Sequence, residues 1–373
     1  SELRKRAWDL FHAYAGDPER LGEKVRHVAQ IYDPTLRCAL PVRETLDAHF
    51  APPDLPPSAT ILAADGSQIA PDRHAEVEYC LINVGVIEMR HGSVQPPRTV
   101  IFSQLLYDYE KQLHMPVNAL TDATLALMRD LNERSRLAEL ACEAQPPVIT
   151  FADGPMELWG AKEGDGEAAS EFQKHLAAYK KALGQLHELG AATAGYVDKP
   201  GANLVVRLLE VLSIPETELP NLRQSHPLRG ITDSELYRQI LGPGERSAVF
   251  AMQSQSAKYY AGALALHFFY LNVGQADRPW LARVEIPAWV VEDSEMLGAL
   301  QAALVSQCRI MGRRPYPYLL HRAHEAAVVS LEEKAQVTQM IVLELHRRGV
   351  PVGERSSKQA AKELPGRTSY GKR

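Results

Sequence analysis

Two short apolar runs that both end in Asp-Gly constrain this chain more than any other feature. Thr60-Ile61-Leu62-Ala63-Ala64 leads into Asp65-Gly66, and Val148-Ile149-Thr150-Phe151-Ala152 leads into Asp153-Gly154. A continuous apolar run of about five residues, closed by a turn dipeptide, is the pattern of a strand buried on both faces. Each strand is therefore expected to stop at its Asp-Gly. Side chains alternate along a strand, so Ala63 and Asp65 share a face, as do Phe151 and Asp153. If the two strands are parallel neighbours, about 4.8 Å apart, their carboxylates come within bridging range of one divalent cation. Asp-Gly is also an ordinary turn, and two unrelated turns would look the same.

The surrounding order gives the pair a context. Val77 to Met89 and Arg98 to Leu105 read as two further strands, and a helix is expected from about Leu120 to Glu143, capped by Thr121 or Asp122. The resulting βββαβ series implies an α/β fold, a mixed sheet with helices packed on it. Weaker strands are expected at 191–197, 248–252, 267–273 and 282–286, with helices near 294–311 and 323–348. Residues 161–190 read as a polar helical excursion from the sheet. The first fifty residues read as helix, and the Pro-rich stretch from Ala51 to Pro57 closes them off. This divides the chain into an N-terminal helical segment with linker (1–57), a main domain (58–350) and a basic tail (351–373).

Composition removes several classes. With 45% hydrophobic and 23% charged residues the chain is neither disordered nor fibrous. Lys and Arg total 41 against 46 Asp and Glu, a net charge of -5, so an anionic partner must be held by local basic patches or metal ions. Cys38, Cys80, Cys142 and Cys308 are scattered without a CxxC pair, which fits buried thiols in a reducing cytoplasm. The first residues lack the apolar core of a signal peptide, and no apolar run is long enough to span a membrane.

Candidate chemistry beyond the Asp pair lies on the intervening helix and far downstream. On the helix, Leu127, Met128, Leu131, Ser135, Ala138 and Cys142 form one stripe. Glu139 falls within about 20° of Met128, whereas Glu133 lies about 140° away. Glu139 thus borders the expected buried face and needs a partner, either a metal ion or Arg136; Glu133 is expected to face solvent. Downstream, the segment from Arg314 to Glu325 combines Tyr316 and Tyr318 with Arg322 and His324 at an expected helix start, which suits phosphate, metal or a solvated surface alike. Arg73, in a polar loop after the first Asp-Gly, and Lys199, closing a strand of the same sheet, are softer candidates for substrate contact. Asp233 reads first as a helix cap, and Lys258-Tyr259-Tyr260 mixes charge and aromatics in a way compatible with single-strand contact.

The motifs together resemble the NurA family of DNA-end-processing nucleases. The matching pieces are Ala64-Asp65-Gly66-Ser67-Gln68, Leu81-Ile82-Asn83-Val84-Gly85, Arg136 to Glu139, Phe151-Ala152-Asp153-Gly154 and Ala194 to Lys199. They continue with Gly244-Glu245-Arg246-Ser247, Phe268 to Asn272, Arg283 to Pro287, Tyr316-Pro317-Tyr318 and Arg322-Ala323-His324-Glu325. The resemblance implies an RNase H-like core and a nuclease dependent on divalent metal, usually Mn²⁺ with Mg²⁺ as the alternative, with two ions expected. It implies 5′-strand resection of single- and double-stranded DNA ends, internal cutting of single strands, a homodimer, and a HerA-type hexameric ATPase as partner. Carried over by position, Asp65, Glu139 and Asp153 are the acidic metal ligands, His324 completes the site, and Tyr316 lies near it. The motif at Asp153-Gly154-Pro155-Met156 departs from the family, which often continues with Ser and an apolar residue. Three other readings stand beside this one: a non-catalytic DNA-end adaptor for the motor, a phosphatase of small esters, and an RNA-directed nuclease.

Overall fold

The computed structural model describes residues 2–72, 77–107, 120–160 and 166–349. The chain opens with α1 (Glu2–Ala13) and α2 (Pro18–Ile31), the latter started by Pro18 and by Asp17, whose carboxylate accepts from the Arg20 N–H. The expected helical character ends there. Residues 38–50 form β1 (Cys38–Pro41) and β2 (His49–Phe50), which join strands from the far end of the chain. Phe11 of α1 is fully buried and meets Tyr237 edge-on, with ring centroids 5.7 Å apart. The N-terminal segment therefore shares the main hydrophobic core.

β3 (Ala59–Ile69), β4 (Cys80–His91) and β5 (Arg98–Leu106) form an antiparallel meander. α3 (Asp122–Ala141), capped by Thr121, leads to β6 (Val148–Asp153), and α4 (Glu167–Glu188) leads on to β7 (Ala192–Asp198). β6 lies parallel to β3 and β7 parallel to β6. The order β5-β4-β3-β6-β7 is the mixed sheet that the βββαβ series predicts. The segment expected to leave the sheet is thus its crossover. α4 buries Phe172, Leu176, Tyr179, Leu183 and Leu186, spaced three and four residues apart, so its polar composition hides one fully apolar stripe.

After β7 come α5 (Leu204–Ser213) and α6 (Asp233–Tyr237). α5 is buried from Leu204 through Leu212, and its one polar stripe is buried too, as the ion pair of Arg207 and Glu210 at 2.6 Å. Asp233 does cap a helix, though not its own. Thr232 caps α6, while the fully buried Asp233 carboxylate accepts the Val205 and Val206 N–H groups at the start of α5 and the Tyr270 hydroxyl at 2.6 Å. Burial pushes its carboxyl up to about 6.

β8 (Arg246–Ser247), β9 (Phe250–Gln253), β10 (Leu266–Asn272) and β11 (Leu281–Pro287) extend the sheet antiparallel from β7, with β1 at its outer edge. α7 (Ala288–Glu292) and α8 (Ser294–Ile310) follow. The helix expected over 323–348 is two helices, α9 (Tyr318–Ala327) and α10 (Leu331–Arg347), parted by a capping box in which Ser330 and Glu333 bond each other's backbone N–H. Cys38, Cys80 and Cys308 are buried free thiols and Cys142 is exposed. Among the described residues no helix is long and apolar enough to cross a membrane.

Candidate active site

The parallel pairing of β3 with β6 matches Ala63 to Phe151 and Ala64 to Ala152, so Asp65 and Asp153 occupy equivalent positions on neighbouring strands. The strands do not end alike. β6 stops at Asp153, followed by Gly154 at φ 81°, whereas β3 runs on through Asp65-Gly66 to Ile69 because β4 gives every residue a ladder partner. The expected turn at Asp65-Gly66 is continuous strand. A notch results: beyond Asp153, β3 has no neighbour on its β6 side.

The notch lets groups from opposite faces of the sheet meet. Gly66 faces α3, and a Cβ on it would fall 2.6 Å from Arg129 Cγ and 2.8 Å from Glu133 Oε1. Asp65 pairs with Gly85, whose missing Cβ points at the α9 backbone on the other face, 2.5 Å from the Ala323 carbonyl oxygen. At both positions the absence of a Cβ permits the close approach of a helix. The end of α9 is fixed on this face by Ser67 Oγ and Asn83 Nδ2, which both donate to the Ala327 carbonyl. His324, one turn earlier, then places Nδ1 2.7 Å from Asp65 Oδ2, while Oδ1 accepts the Gly66 N–H at 2.8 Å. A carboxylate only accepts, so Nδ1 carries the proton and Nε2 is the basic nitrogen. Tyr316, just ahead of α9, donates its hydroxyl to Asp153 Oδ1 at 2.8 Å and packs edge-on against Tyr196. Burial raises the Asp153 carboxyl above its usual range and the charge on Asp65 adds to this; the Tyr316 hydroxyl, the Gly154 N–H and His324 oppose it.

The α3 carboxylate in the site is Glu133, and the expected assignment of its faces is reversed. Glu133 is buried and lines a cavity of about 310 Å³ together with Asp65, Asp153, Asp130, Arg129 and His324. Glu139 has a side chain 53% exposed and is held by Arg136 at 2.6 Å, away from that cavity. The reason is physical. The buried face of α3 is centred on Arg134, Leu137, Ala138 and Ala141, and Met128 lies about 180° from Leu137 around the axis. Glu133 is about 40° from Leu137 around the helix axis, and Glu139 about 160°. A stripe drawn through apolar residues alone misses a face that carries the charged groups of the site.

Burial holds the Glu133 carboxyl well above the ordinary carboxylate range, with the charges of Asp130 and Asp65 adding to it and Arg129 and Arg134 offsetting only part. Asp130 is raised as well, also by burial first. Arg129 divides its guanidinium between Asp130 at 2.8 Å and Glu133 at 3.5 Å. A carboxyl whose folded pKa is raised stabilises the fold fully below its unfolded value of about 4.3, and this stability is lost as pH rises through the folded value. In EDTA, wild-type stability should therefore fall relative to Glu133→Gln as pH rises from about 5 to 9. Urea midpoints that run parallel for the two proteins across this range would remove the strain assigned to Glu133.

The donors suit a hard divalent cation: Asp65, Glu133 and Asp153 line one cavity, with Asp130 and Glu157 also in its wall, and burial raises the Glu133 carboxyl. Among the described residues no three His, Cys, Asp or Glu side chains already converge as a closed ligand set. Of the other expected contacts, Tyr316 reaches the site, Arg322 is exposed and paired with Glu325 at 2.7 Å, and Lys199 is exposed over the Trp280 ring. Arg73 lies outside the described residues. Tyr260 is committed to packing, its buried hydroxyl accepting the Leu158 N–H. Glu133 was expected to face solvent, and Arg129 and Asp130 were not singled out in the sequence; they lie in a charged stretch of the helix, with Arg129 and Glu133 four residues apart.

Comparison with known proteins gives the family and a similar fold. A family model described as the NurA domain matches residues 59–329. The fold is similar to the crystal structure of the NurA nuclease from Sulfolobus solfataricus, with a TM-score of 0.51 and 12% identity over 87% of this chain and 94% of that one. The catalytic domain of human endonuclease V matches with a TM-score of 0.32 and 14% identity over 88% of this chain and 100% of its own. No curated protein matches the sequence.

Proposed function

This chain belongs to the NurA domain family, and from that premise we propose that it is a divalent-metal-dependent DNA nuclease that processes DNA ends. The observation that carries the reading is the juxtaposition of Asp65 and Asp153 at one parallel register with Glu133 beside them. These three carboxylates are the ligands, with Glu133 in the place first given to Glu139, and His324 completes the site. Mn²⁺ or Mg²⁺, as a pair of ions, is the cofactor.

Bound there, divalent metal would supply an activated water and neutralise charge on the leaving oxygen. The chain's own groups do the rest. Asp65 is held by the Gly66 N–H and by His324, so its carboxylate plane is set before substrate arrives. Tyr316 orients Asp153 in the same way. His324, with Nδ1–H committed to Asp65, presents Nε2 to take a proton from the attacking water or, once protonated, to return it to the leaving oxygen. Its side chain is 60% exposed, within reach of a bound phosphodiester. Arg129 is the cation nearest to Glu133 and limits repulsion within the cluster while metal is absent.

The family resemblance supplies the wider setting of the proposal. The substrates are single- and double-stranded DNA ends, degraded from the 5′ side, with internal cleavage of single strands. The chain works as a homodimer with a HerA-type hexameric ATPase in double-strand-break repair in the cytoplasm. The direct test is incubation of an end-labelled single strand, a duplex and an RNA of the same sequence in Mn²⁺, Mg²⁺ or EDTA, beside Asp153→Ala. DNA cleavage that needs metal and falls at least about a hundredfold in the variant is expected. Binding without cleavage in every metal would make the chain an end-binding adaptor, and preferential RNA cleavage would change the substrate.

A further inference from the structure

A second cavity, of about 200 Å³, lies at the same end of the sheet as the acidic site and takes no part in it. It is lined by Gly274, Asp277, Arg278, Trp280, Arg313 and Pro315. The chain connects it directly to the catalytic groups, because Pro315 lines the cavity and the next residue, Tyr316, holds Asp153. β7 connects them a second time. Tyr196 is the register partner of Asp153, and three residues further on Lys199 places Nζ 4.2 Å from the centre of the Trp280 ring. With strands about 4.8 Å apart and residues rising about 3.3 Å each, the cavity is roughly 10–15 Å from Asp153.

Its chemistry is that of a nucleotide subsite. Trp280 is fixed in place by its indole N–H, which donates to Asp198 Oδ1 at 2.8 Å, and its ring lines the cavity. Among the described residues neither Arg278 nor Arg313 pairs with a carboxylate, although Asp277 also lines the cavity. Lys199 takes a left-handed backbone conformation, φ 43°, one of two non-glycine positions to do so among the described residues. Arg278 and Arg313 are exposed, so both guanidinium groups are accessible beside an indole that is held in place. An aromatic ring for a base and cations for its flanking phosphates are the two parts of a single-strand site.

We infer that Trp280, Arg278, Arg313 and Lys199 form a subsite for an unpaired nucleotide of the strand being cut, a few nucleotides from the scissile phosphate. The inference rests on the nuclease reading. A base stacked on Trp280 is not available for pairing, so the subsite selects single-stranded DNA, or a duplex end that has frayed far enough to reach it. An intact duplex end is thereby a poorer substrate than one already opened.

The test compares two substrates of the full-length protein. One is a labelled single strand of about sixteen nucleotides, long enough to fill such a site. The other is the p-nitrophenyl ester of thymidine 5′-phosphate, a diester too short to reach Trp280. Trp280→Ala should lower kcat/KM on the strand about tenfold, and Trp280→Phe should restore most of it. Arg278→Ala with Arg313→Ala should reduce the salt dependence of strand binding by about 1.4 in the log–log slope, the value for two lost phosphate contacts. Turnover of the short ester should be unchanged in all of them. Equal losses on both substrates, or no loss on the strand, would overturn the subsite. If the wild type turns over neither substrate in any metal, the nuclease reading fails, and the binding measurements alone then decide the subsite.

Discussion

Glu133→Gln should lower metal-dependent DNA cleavage by about a hundredfold to a thousandfold, while Glu139→Gln should leave it within about twofold. The two residues sit six apart on one helix; sequence alone favours Glu139, whereas Glu133 is the one that lines the cavity. Gln keeps the volume of Glu133 and an acceptor for Arg129, so the cavity that also holds Asp65 and Asp153 stays filled and the fold is kept. What disappears is one carboxylate of that cavity, and with it the proposed ligand for the cation. Mn²⁺ affinity measured by calorimetry should fall in parallel, a readout that does not depend on turnover. Glu139→Gln removes only an exposed pair with Arg136, of a kind worth about 0–1 kcal/mol. Wild-type cleavage by Glu133→Gln, or equal loss in both variants, would remove Glu133 from the metal site.

That reversal shows where sequence reasoning holds in this chain and where it does not. The Asp65 and Asp153 pair was legible because each aspartate ends a run with a clean strand signature, and parallel pairing then has only one register that aligns the apolar runs. The mixed sheet followed from the same strands, but their order in it, β5-β4-β3-β6-β7, comes from the structure. The face of α3 was misread: Leu127, Leu137, Ala138 and Ala141 mark it, but Asp130, Glu133 and Arg134 interrupt that run with charge. A site built into a core face erases the periodicity that would reveal the face. α5 was not read, although Arg207, Glu210 and Ser213, three residues apart, give it a polar side; in the fold that side is buried as the Arg207–Glu210 pair. β1 and β2 have four and two residues and pair with β9 and β8, some two hundred positions away, so nothing local announces them. The notch at the end of β6 belongs to none of these signals. It arises from the difference between a strand that stops and a neighbour that continues, and it is what brings His324 and Glu133 to Asp65 from opposite faces.

Gly85→Val should cost about 1–3 kcal/mol of stability and about a hundredfold in activity, although valine is the better strand residue. Taken by itself β4 would gain from the change, so any loss has to come from what packs over it. A Cβ at residue 85 would lie 2.5 Å from the Ala323 carbonyl oxygen, 2.9 Å from Ala326 Cβ and 3.0 Å from the Ala327 N. Two of these contacts are backbone, which cannot rotate away, so α9 must lift as a unit. His324 follows Ala323 directly and makes a 2.7 Å contact with Asp65, the register partner of Gly85. A shift of about an ångström is enough to break that contact. If the damage runs through His324, the double variant with His324→Ala should be no less active than His324→Ala alone, because both changes remove the same interaction. Additive losses in that cycle would mean that Gly85 supports the acidic site by another route. Undiminished activity in Gly85→Val would show that α9 does not need its close seat on β4 to deliver the histidine.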